Sequence, residues 1–272
     1  MRIPEKDTFA HQLFLSDFLR EPVIRSAIRY LKLPEGSCGL DAGCGIGSHT
    51  LMLAEEIVPD GTVTGLDISS KFLTYAGEKA KEAGLAQRIT FKQGDINKLP
   101  FGDNIFDWVW SADCAGYPIA GTAPPVTELA RVIRPGGTLA ILGWTSQQLL
   151  PGYLELEARL SAPCSMYIPY TAGKKPEAYF QRALGWFLDA GLVRTEAMTF
   201  VGNIQAPLHD DAKKAVKMFF EMLWGNVQSK VSPEDWAEYQ RLCSMESADC
   251  ILNLPDYYGF FTYTLFHGSV SA

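Results

Sequence analysis

The chain has 272 residues, of which 47% are hydrophobic and 20% charged, which is enough apolar material for one sizeable core. With 24 basic against 31 acidic residues, its formal net charge of -7 opposes binding that neutralises phosphates with Lys and Arg, so no nucleic-acid partner is expected. The six cysteines include no CxxC pair, which predicts reduced thiols in a cytoplasmic protein. An apolar leader and a run of about 18 apolar residues are both absent, so no membrane span is predicted.

The first 36 residues are predicted to form two short helices. Apolar stripes with helical spacing occupy residues 13–18 and 23–31, and Glu21-Pro22 separates them. A proline inside a helical pattern removes a hydrogen bond and crowds the preceding turn, so the break is expected at Pro22.

Residues 37–144 alternate short β-like runs with helical stretches, a pattern typical of βαβ units and a parallel sheet. The predicted strands are CGLDA, TVTGLD, ITFKQ, IFDWVWS and GTLAILGW. Ser69 or Ser70 is predicted to cap a helix over about 71–83, and a shorter helix over 126–133 is predicted to end at Arg-Pro-Gly-Gly.

The second half of the chain adds further helices and two strands. After an insertion that begins at residue 145, a helix is predicted over 176–190 and a strand over 193–201. Apolar residues from Ala212 to Val227 recur at helical spacing, and Ser232-Pro233 is predicted to start a second helix with a serine cap and a first-turn proline. The closing YYGFFTYTLFHG predicts a last strand beside the 193–201 run.

The glycine-rich stretch LDAGCGIGSHT, residues 40–50, follows the first predicted strand. Gly43, Gly45 and Gly47 permit a sharp turn and a close approach of ligand to backbone, and amides at the helix start are expected to be open to an anion. A dinucleotide fingerprint would need a glycine where Ser48 stands, so the fit to NAD is poor. The stretch indicates a different nucleotide-like ligand, or else a tight turn without one.

With Asp41 before the G-x-G-x-G turn, this stretch resembles motif I of the class I S-adenosylmethionine-dependent methyltransferases. The resemblance covers about residues 37–144 and, more faintly, 176–268. GDINKLPF and ELARVIRPGG are most similar to the small-molecule enzymes related to the quinone-biosynthesis methyltransferases. The resemblance implies S-adenosylmethionine as cofactor, S-adenosylhomocysteine as product and a small-molecule acceptor.

The resemblance also implies roles for residues that end the predicted strands. Asp67 would hold the ribose hydroxyls, Asp95 would accept from the adenine amino group, and Ile96 would pack on the ring. Ser111 and Ala112 would lie beside the methionine part. The expected cofactor-binding set is Asp41, Gly43, Gly45, Gly47, Asp67, Ile68, Asp95, Ile96, Ser111 and Ala112.

Catalysis by such a protein rests mainly on positioning, because the nucleophile must lie in line with the S–CH3 bond in a site that excludes water. Where the acceptor is a hydroxyl or an acidic carbon, Asp113 is the leading candidate base, and His49 could touch the cofactor carboxylate or the acceptor. No histidine or cysteine pair has close metal-ligand spacing, so no metal site is predicted.

The acceptor pocket is expected to come from the N-terminal helices, residues 145–176 and the helix pair between 211 and 248. Aromatic and methionine side chains there suit an apolar or aromatic acceptor: Tyr153, Met166, Tyr167, Tyr170, Met218, Phe219, Met222 and Trp224. Two alternatives stay open, a non-catalytic module that binds S-adenosylmethionine and, less favoured, a nicotinamide-dependent oxidoreductase. The accepting atom and the oligomeric state are left open as well.

The predicted architecture is a single α/β domain, 1–272, with a Rossmann-like, seven-stranded, mostly parallel sheet, helices on both faces and a helical cap. Its predicted segments are the N-terminal helices that act as a lid (1–36), the cofactor-binding core (37–144), an insertion with a helix and strand six (145–205), the helical cap (206–256) and the last strand (257–272).

Overall fold

The computed structural model describes residues 9–57, 59–116, 125–164 and 179–271. Its strands are β1 (Cys38–Ala42), β2 (Thr62–Asp67), β3 (Ile89–Gln93), β4 (Phe106–Ala112), β5 (Ile133–Gln148), β6 (Val193–Gln205) and β7 (Tyr258–Ser269). Its helices are α1 (Phe9–Leu31), α2 (Ser48–Glu56), α3 (Ser70–Glu82), α4 (Val126–Arg131), α5 (Leu154–Ser161), α6 (Ala183–Asp189), α7 (Asp210–Trp224) and α8 (Pro233–Cys243).

The seven described strands form one sheet in the order β3-β2-β1-β4-β5-β7-β6. The pairs from β3 to β5 are parallel, and β7 lies antiparallel between β5 and β6. The predicted Rossmann-like, mostly parallel sheet is therefore confirmed, including the pairing of the last strand with the 193–201 run.

Alternate residues of the central strands face two separate cores, as the two-residue period of a strand requires. Trp108 and Trp110 of β4 join the core built with α1, α2, α5, α7 and α8, whereas Val109 joins the core built with α4 and α6. All three side chains are almost fully buried. Helices therefore cover both faces of the sheet, as predicted.

The prediction of two N-terminal helices was wrong, because α1 runs without interruption from Phe9 to Leu31 with Pro22 inside it. The proline removes only the hydrogen bond to the carbonyl of Phe18, a residue whose side chain is 56% exposed. Both halves keep one apolar stripe in phase, and Ile24 and Ile28 are buried where α1 packs on α2, α7 and β6. Continuous packing thus outweighs the local cost of the proline.

The helix predicted over 71–83 is confirmed as α3, whose Ser69 hydroxyl accepts from the amide of Phe72 at 3.3 Å. The helix predicted over 126–133 ends earlier, at Arg131, because β5 already begins at Ile133. The Arg-Pro-Gly-Gly turn lies within that strand, where its register with β4 shifts. The described part of the helix predicted over 176–190 is a short 3₁₀ turn, Phe180–Arg182, followed by α6.

The two helices predicted after residue 211 are confirmed as α7 and α8. His209 caps α7 by accepting from the amide of Ala212, and Ser232 caps α8 by accepting from Asp235. In the insertion that follows β5, α5 packs on both α7 and α8. The division of the chain into five functional segments stays a prediction.

Candidate functional site

A cavity of about 590 Å³ lies at the carboxyl ends of β1, β2 and β4. Its walls come from α1, the glycine loop, the end of β2, the start of α3, the loop after β4, and from β5, α7 and β7. This edge of an open α/β sheet is where such folds bind ligands, and the volume falls within the roughly 300–1,000 Å³ of small-molecule sites.

The glycine loop turns in a conformation that suits only glycine. Gly43, Gly45 and Gly47 have φ of 83°, 53° and 81°. A Cβ on Gly43 would lie 2.2 Å from Sγ of Cys114, and one on Gly47 would lie 2.7 Å from Cβ of Ala76. Both the left-handed backbone and the close packing therefore require glycine in this loop.

The amides of this loop are largely used within the protein. The amides of Gly43 and Cys44 both donate to the carbonyl of Leu66, at 2.8 and 2.9 Å, and Gly47 donates to Cys44. Gly45 donates to Oδ2 of Asp67 at 2.9 Å. These four loop amides are therefore not open to an anion, and the expectation for the amides at the start of α2 stays a prediction.

Asp67 lies in the cavity wall at the end of β2, where it was predicted. In addition to the Gly45 amide on Oδ2, its Oδ1 accepts from the amide of Ser69 at 2.8 Å. Two main-chain donors thus fix the carboxylate, and each oxygen keeps a lone pair for a ligand. Ile68, also in the wall, is 69% exposed and presents an apolar surface beside it.

Asp41 lies beneath the loop rather than in the cavity wall. It is 1% exposed, and its Oδ2 accepts from the hydroxyl of Thr50 at 2.6 Å. Burial raises the pKa of Asp41 to about 7, with a further contribution from Asp67 and partial opposition from Thr50. The hydrogen bond from Thr50 joins the end of β1 to α2.

The other predicted cofactor residues divide into two groups. Ala112 lines the cavity, while Ser111 is fully buried behind it, donating to the carbonyl of Ala42 at 2.7 Å and accepting from the amide of Ala115. Asp95 and Ile96 are outside the described cavity lining. The Asp95 carboxylate accepts from Asn97, and Ile96 is buried in the second core. Their adenine role stays a prediction.

Asp113 projects into the cavity from the loop after β4, with φ of 49°. Its Oδ2 accepts from the hydroxyl of Tyr263 at 2.8 Å and from Nη1 of Arg20 at 3.3 Å, while Oδ1 accepts from the amide of Trp144. A predicted candidate base is therefore also the point at which β5, β7 and α1 meet.

The sequence analysis missed two charged residues of α1 that line the cavity. Arg20 donates to Oδ1 of Asp17 at 3.0 Å as well as to Asp113. Asp17 in turn accepts from the hydroxyl of Ser48 and from Nζ of Lys79. The signal was readable, because Asp17 and Arg20 occupy the apolar stripe of α1, four and seven residues after Leu13.

His49 lines the same cavity in the first turn of α2, where it was predicted. Its ring meets Trp110 edge to face, with centroids 6.3 Å apart. Burial, followed by the positive charge of Arg20, lowers the pKa of His49 to about 4, although Asp17 and Asp113 act in the opposite direction. The imidazole is therefore neutral at physiological pH.

The far end of the cavity is aromatic and apolar. Trp144 stacks on Phe261 with centroids 4.7 Å apart and meets Phe219 and Tyr263 edge to face. Of the predicted acceptor residues, Phe219 and Met222 line the cavity, whereas Tyr153, Met218 and Trp224 are not part of its described lining. Met166, Tyr167 and Tyr170 fall outside the described residues.

The cysteine thiols and the possible metal ligands add little to the site. None of the six cysteines forms a disulfide, and burial raises the pKa of the two thiols in the cavity wall, Cys44 and Cys114, the latter to about 12. Within the four described ranges, no His, Cys, Asp and Glu side chains cluster so as to hold a metal ion. Nor does any described helix have the length and apolarity needed to cross a bilayer.

Solved structures show a similar fold. The YcgJ protein of Bacillus subtilis superposes with a TM-score of 0.56 and 16% identity, covering 93% of this chain and 99% of its own. A second similar structure is Haemonchus contortus phosphoethanolamine N-methyltransferase 2 in complex with phosphomonomethylethanolamine and S-adenosylhomocysteine. It superposes with a TM-score of 0.57 and 17% identity, and the match covers 99% of this chain and 60% of its own.

Curated relatives match about half of the chain. The demethylmenaquinone methyltransferase of Listeria welshimeri is 36% identical over 135 residues, which is 48% of this chain and 55% of the relative. That of Lactobacillus johnsonii is 33% identical over 142 residues, 46% of this chain and 57% of its own. The chain thus spans about half the length of the curated relatives it matches.

A family model, described as a methyltransferase domain, matches residues 35–191. That match covers more than half of the chain and includes β1 to β5 with the whole glycine loop. The resemblance found in the motifs is thereby confirmed, and the chain belongs to the methyltransferase-domain family.

Proposed function

We propose that this protein transfers a methyl group from S-adenosylmethionine to a small-molecule acceptor. The observation that carries the proposal is the placement of Asp67, whose carboxylate is held by the amides of Gly45 and Ser69 at the wall of the cavity. A carboxylate fixed at the end of the second strand, beside a glycine turn, is suited to accept the two hydroxyls of a ribose.

The charges of the cavity favour a cationic ligand. Its described lining carries four carboxylates, on Asp17, Asp67, Asp113 and Glu221, against one guanidinium, on Arg20. A sulfonium cofactor is attracted by such a lining, whereas the pyrophosphate of a nicotinamide cofactor would be repelled. Because the glycine-loop amides are used internally as well, the oxidoreductase alternative is disfavoured by geometry and by charge.

Other parts of the cavity suit the remaining groups of the cofactor. Ile68 and Phe72 provide apolar surface next to Asp67, where the base attached to the ribose would lie. The first turn of α2, which has no side-chain cap, faces the cavity through Ser48 and His49 and suits a carboxylate. Ala112 leaves room for the methionine chain, and Asp95 with Ile96 stays the proposed contact for adenine.

The acceptor that this cavity suits has an apolar or aromatic body. Trp144, Phe219, Met222 and Leu223 form the end of the cavity away from Asp67, and α1 and α7 close over it. Such an aromatic wall binds by burial of apolar surface and helps to keep water away from the displacement. A reducing compartment, the cytoplasm, fits six cysteines that form no disulfide.

Asp113 and His49 have different roles in the proposed methyl transfer. Asp113 is held by Arg20, Tyr263 and the amide of Trp144, so much of its hydrogen-bonding capacity serves to fix the cavity wall. His49 is neutral, and its imidazole lines the same cavity. We therefore assign it the role of accepting a hydrogen bond or a proton from the methyl acceptor.

A labelling assay tests this proposal. The protein is incubated with methyl-labelled S-adenosylmethionine and fractions of a cellular small-molecule extract, with demethylmenaquinone, the acceptor named in its curated relatives, as one defined candidate. We expect label in a small-molecule fraction and an equal amount of S-adenosylhomocysteine. Binding of S-adenosylhomocysteine without labelled product in any fraction would favour the non-catalytic module instead.

A further inference from the structure

Pro22 divides α1 into two halves that pack on different parts of the protein. The second half, residues 23–31, is anchored in the main core. Its fully buried side chains there are Val23, Ile24, Ala27 and Ile28, none more than 3% exposed. Of the first half, residues 9–21, only Leu19 packs against that core, and it is partly buried. Ala10, Leu13 and Phe14 instead join a small separate cluster with Ile46, Phe72 and Tyr75.

The part of α1 that covers the cavity is the first half. The residues of α1 in the described lining are Gln12, Leu13, Asp17 and Arg20, all of which precede Pro22. Leu13 lies over the glycine loop, since a Cβ on Gly45 would lie 3.7 Å from its Cδ1. The first half therefore covers the place where the amide of Gly45 holds the carboxylate of Asp67.

Ion pairs hold the first half in this position. Nη1 and Nη2 of Arg20 donate to Asp113 at 3.3 Å and to Asp17 at 3.0 Å. Asp17 also accepts from Nζ of Lys79 at 3.5 Å and from the hydroxyl of Ser48. When a buried ion pair separates, its charges regain their hydration, which offsets much of the lost attraction. Such contacts can fix a segment in one position and still allow it to leave.

The helix is also weakened at the boundary between its halves. Pro22 has no amide hydrogen, which removes the hydrogen bond to the carbonyl of Phe18. One turn later, the hydroxyl of Ser26 donates to the carbonyl of Pro22 at 2.7 Å, a type of contact that often bends helices. Hinges of moving segments are a few residues that absorb a change of backbone angle. Pro22 lies where such a hinge would separate the covering half from the anchored half.

We propose that the first half of α1 is a gate that opens about Pro22 to admit and release the cofactor, while the second half stays in the core. This inference rests on the proposed function, because it assigns the gate to the S-adenosylmethionine site. On opening, Arg20 leaves Asp113 and the charges become hydrated, and on closing the same pair restores the cavity wall. Motion of the whole helix would be far more costly, since it would pull the buried side chains of residues 23–31 out of the main core.

Amide hydrogen exchange in the ligand-free full chain, followed residue by residue, tests the gate without any enzymatic readout. We expect the amides of residues 14–20 to exchange through one common opening, with clearly less protection than those of residues 26–31. Simple fraying from the helix end would instead give protection that rises steadily toward Pro22.

Pro22→Ala restores the missing hydrogen bond and stiffens the hinge. It should slow exchange in residues 14–20 at least about tenfold and leave residues 26–31 unchanged. S-adenosylhomocysteine should then associate and dissociate several-fold more slowly, as measured by stopped-flow fluorescence. Arg20→Gln, which removes the ion pairs, should speed exchange in residues 14–20. Pro22→Ala removes no charge, so it decides the outcome even where Arg20→Gln does not fold.

The matched control is Arg29→Gln, in the second half of the same helix, whose side chain is 63% exposed and pairs with Glu56. It should change neither the exchange of residues 14–20 nor the rates of S-adenosylhomocysteine binding. Equal protection of both halves in the wild type would overturn the proposal, and so would unchanged exchange or unchanged binding rates in Pro22→Ala. Because the exchange needs no cofactor, a failure to bind S-adenosylhomocysteine would count against the proposed function, while the exchange data alone decide whether the gate opens.

Discussion

The hydroxyl of Tyr263 donates to Oδ2 of Asp113 at 2.8 Å, a contact that joins the last strand to the loop after β4 across 150 residues of sequence. Tyr263 is 1% exposed, and burial raises its pKa well above the ordinary value, so it remains a donor over the physiological pH range. Arg20 shares the same carboxylate oxygen. Helix α1 and strand β7 thus meet at one carboxylate in the cavity wall.

Replacing Tyr263 with phenylalanine removes one buried hydrogen bond to a charged acceptor and leaves the ring in place. We expect Tyr263→Phe to lower the free energy of unfolding by about 1.5–3 kcal/mol, measured by urea denaturation. Tyr258→Phe is the control, since that tyrosine is 48% exposed and its hydroxyl bonds to Asn203 at the surface. Equal effects of the two variants would contradict the assigned importance of the Asp113 contact.

Gly43→Ala should damage the cofactor loop, because φ of 83° is strained for alanine and the new Cβ would lie 2.2 Å from Sγ of Cys114. We expect a loss of about 1–3 kcal/mol of stability together with weaker binding of S-adenosylhomocysteine. Gly77→Ala is the matched control, in the interior of α3 with nothing within 4 Å of the new Cβ. It should stabilise the protein by roughly 0.5–1 kcal/mol.

Asp41 predicts a pH dependence of stability. Its folded pKa of about 7 lies above the ordinary value of 3.8, so the folded state binds the proton more tightly, and stability should fall as pH rises between those values. Asp41→Asn keeps an acceptor for Thr50 and removes the titration. We expect the variant to gain roughly 1–3 kcal/mol relative to wild type between pH 5 and pH 8, by denaturant unfolding at both values. An equal pH slope in both proteins would contradict this account.

Hydrogen exchange tests whether α1 and α7 act as a lid. Both contribute residues to the cavity, so S-adenosylhomocysteine is expected to slow amide exchange in at least one of them. The internal control is α8, which is not part of the described lining. Protection confined to residues 37–115, even with an acceptor present, would show that these helices are peripheral.

The sequence contained most of the fold because its local signals agree with one another. The first four strand runs, of five to seven residues, the Ser69 cap and the three loop glycines each predict what the structure contains. The helix break predicted at Pro22 was wrong, because the sequence shows only the cost of one lost hydrogen bond. It does not show the packing of α1 on α7 and β6, which outweighs that cost.

The site was predicted less completely, since its contacts join distant parts of the chain. Asp67 and His49 could be placed by their distance from the glycine turn, but no local pattern pairs Arg20 with Asp113 or Tyr263 with the loop after β4. Only the position of two charges within the apolar stripe of α1 indicated that this helix faces something other than a core.

The most direct test of the proposed function is a calorimetric titration with S-adenosylhomocysteine and, separately, with NADH. We expect saturable binding of S-adenosylhomocysteine by the wild type and weaker or no binding of NADH. Asp67→Asn should lower the affinity for S-adenosylhomocysteine about tenfold, while Asp256→Asn, at an exposed position, should not change it. Tighter binding of NADH, or an unchanged dissociation constant in a folded Asp67→Asn, would contradict the account.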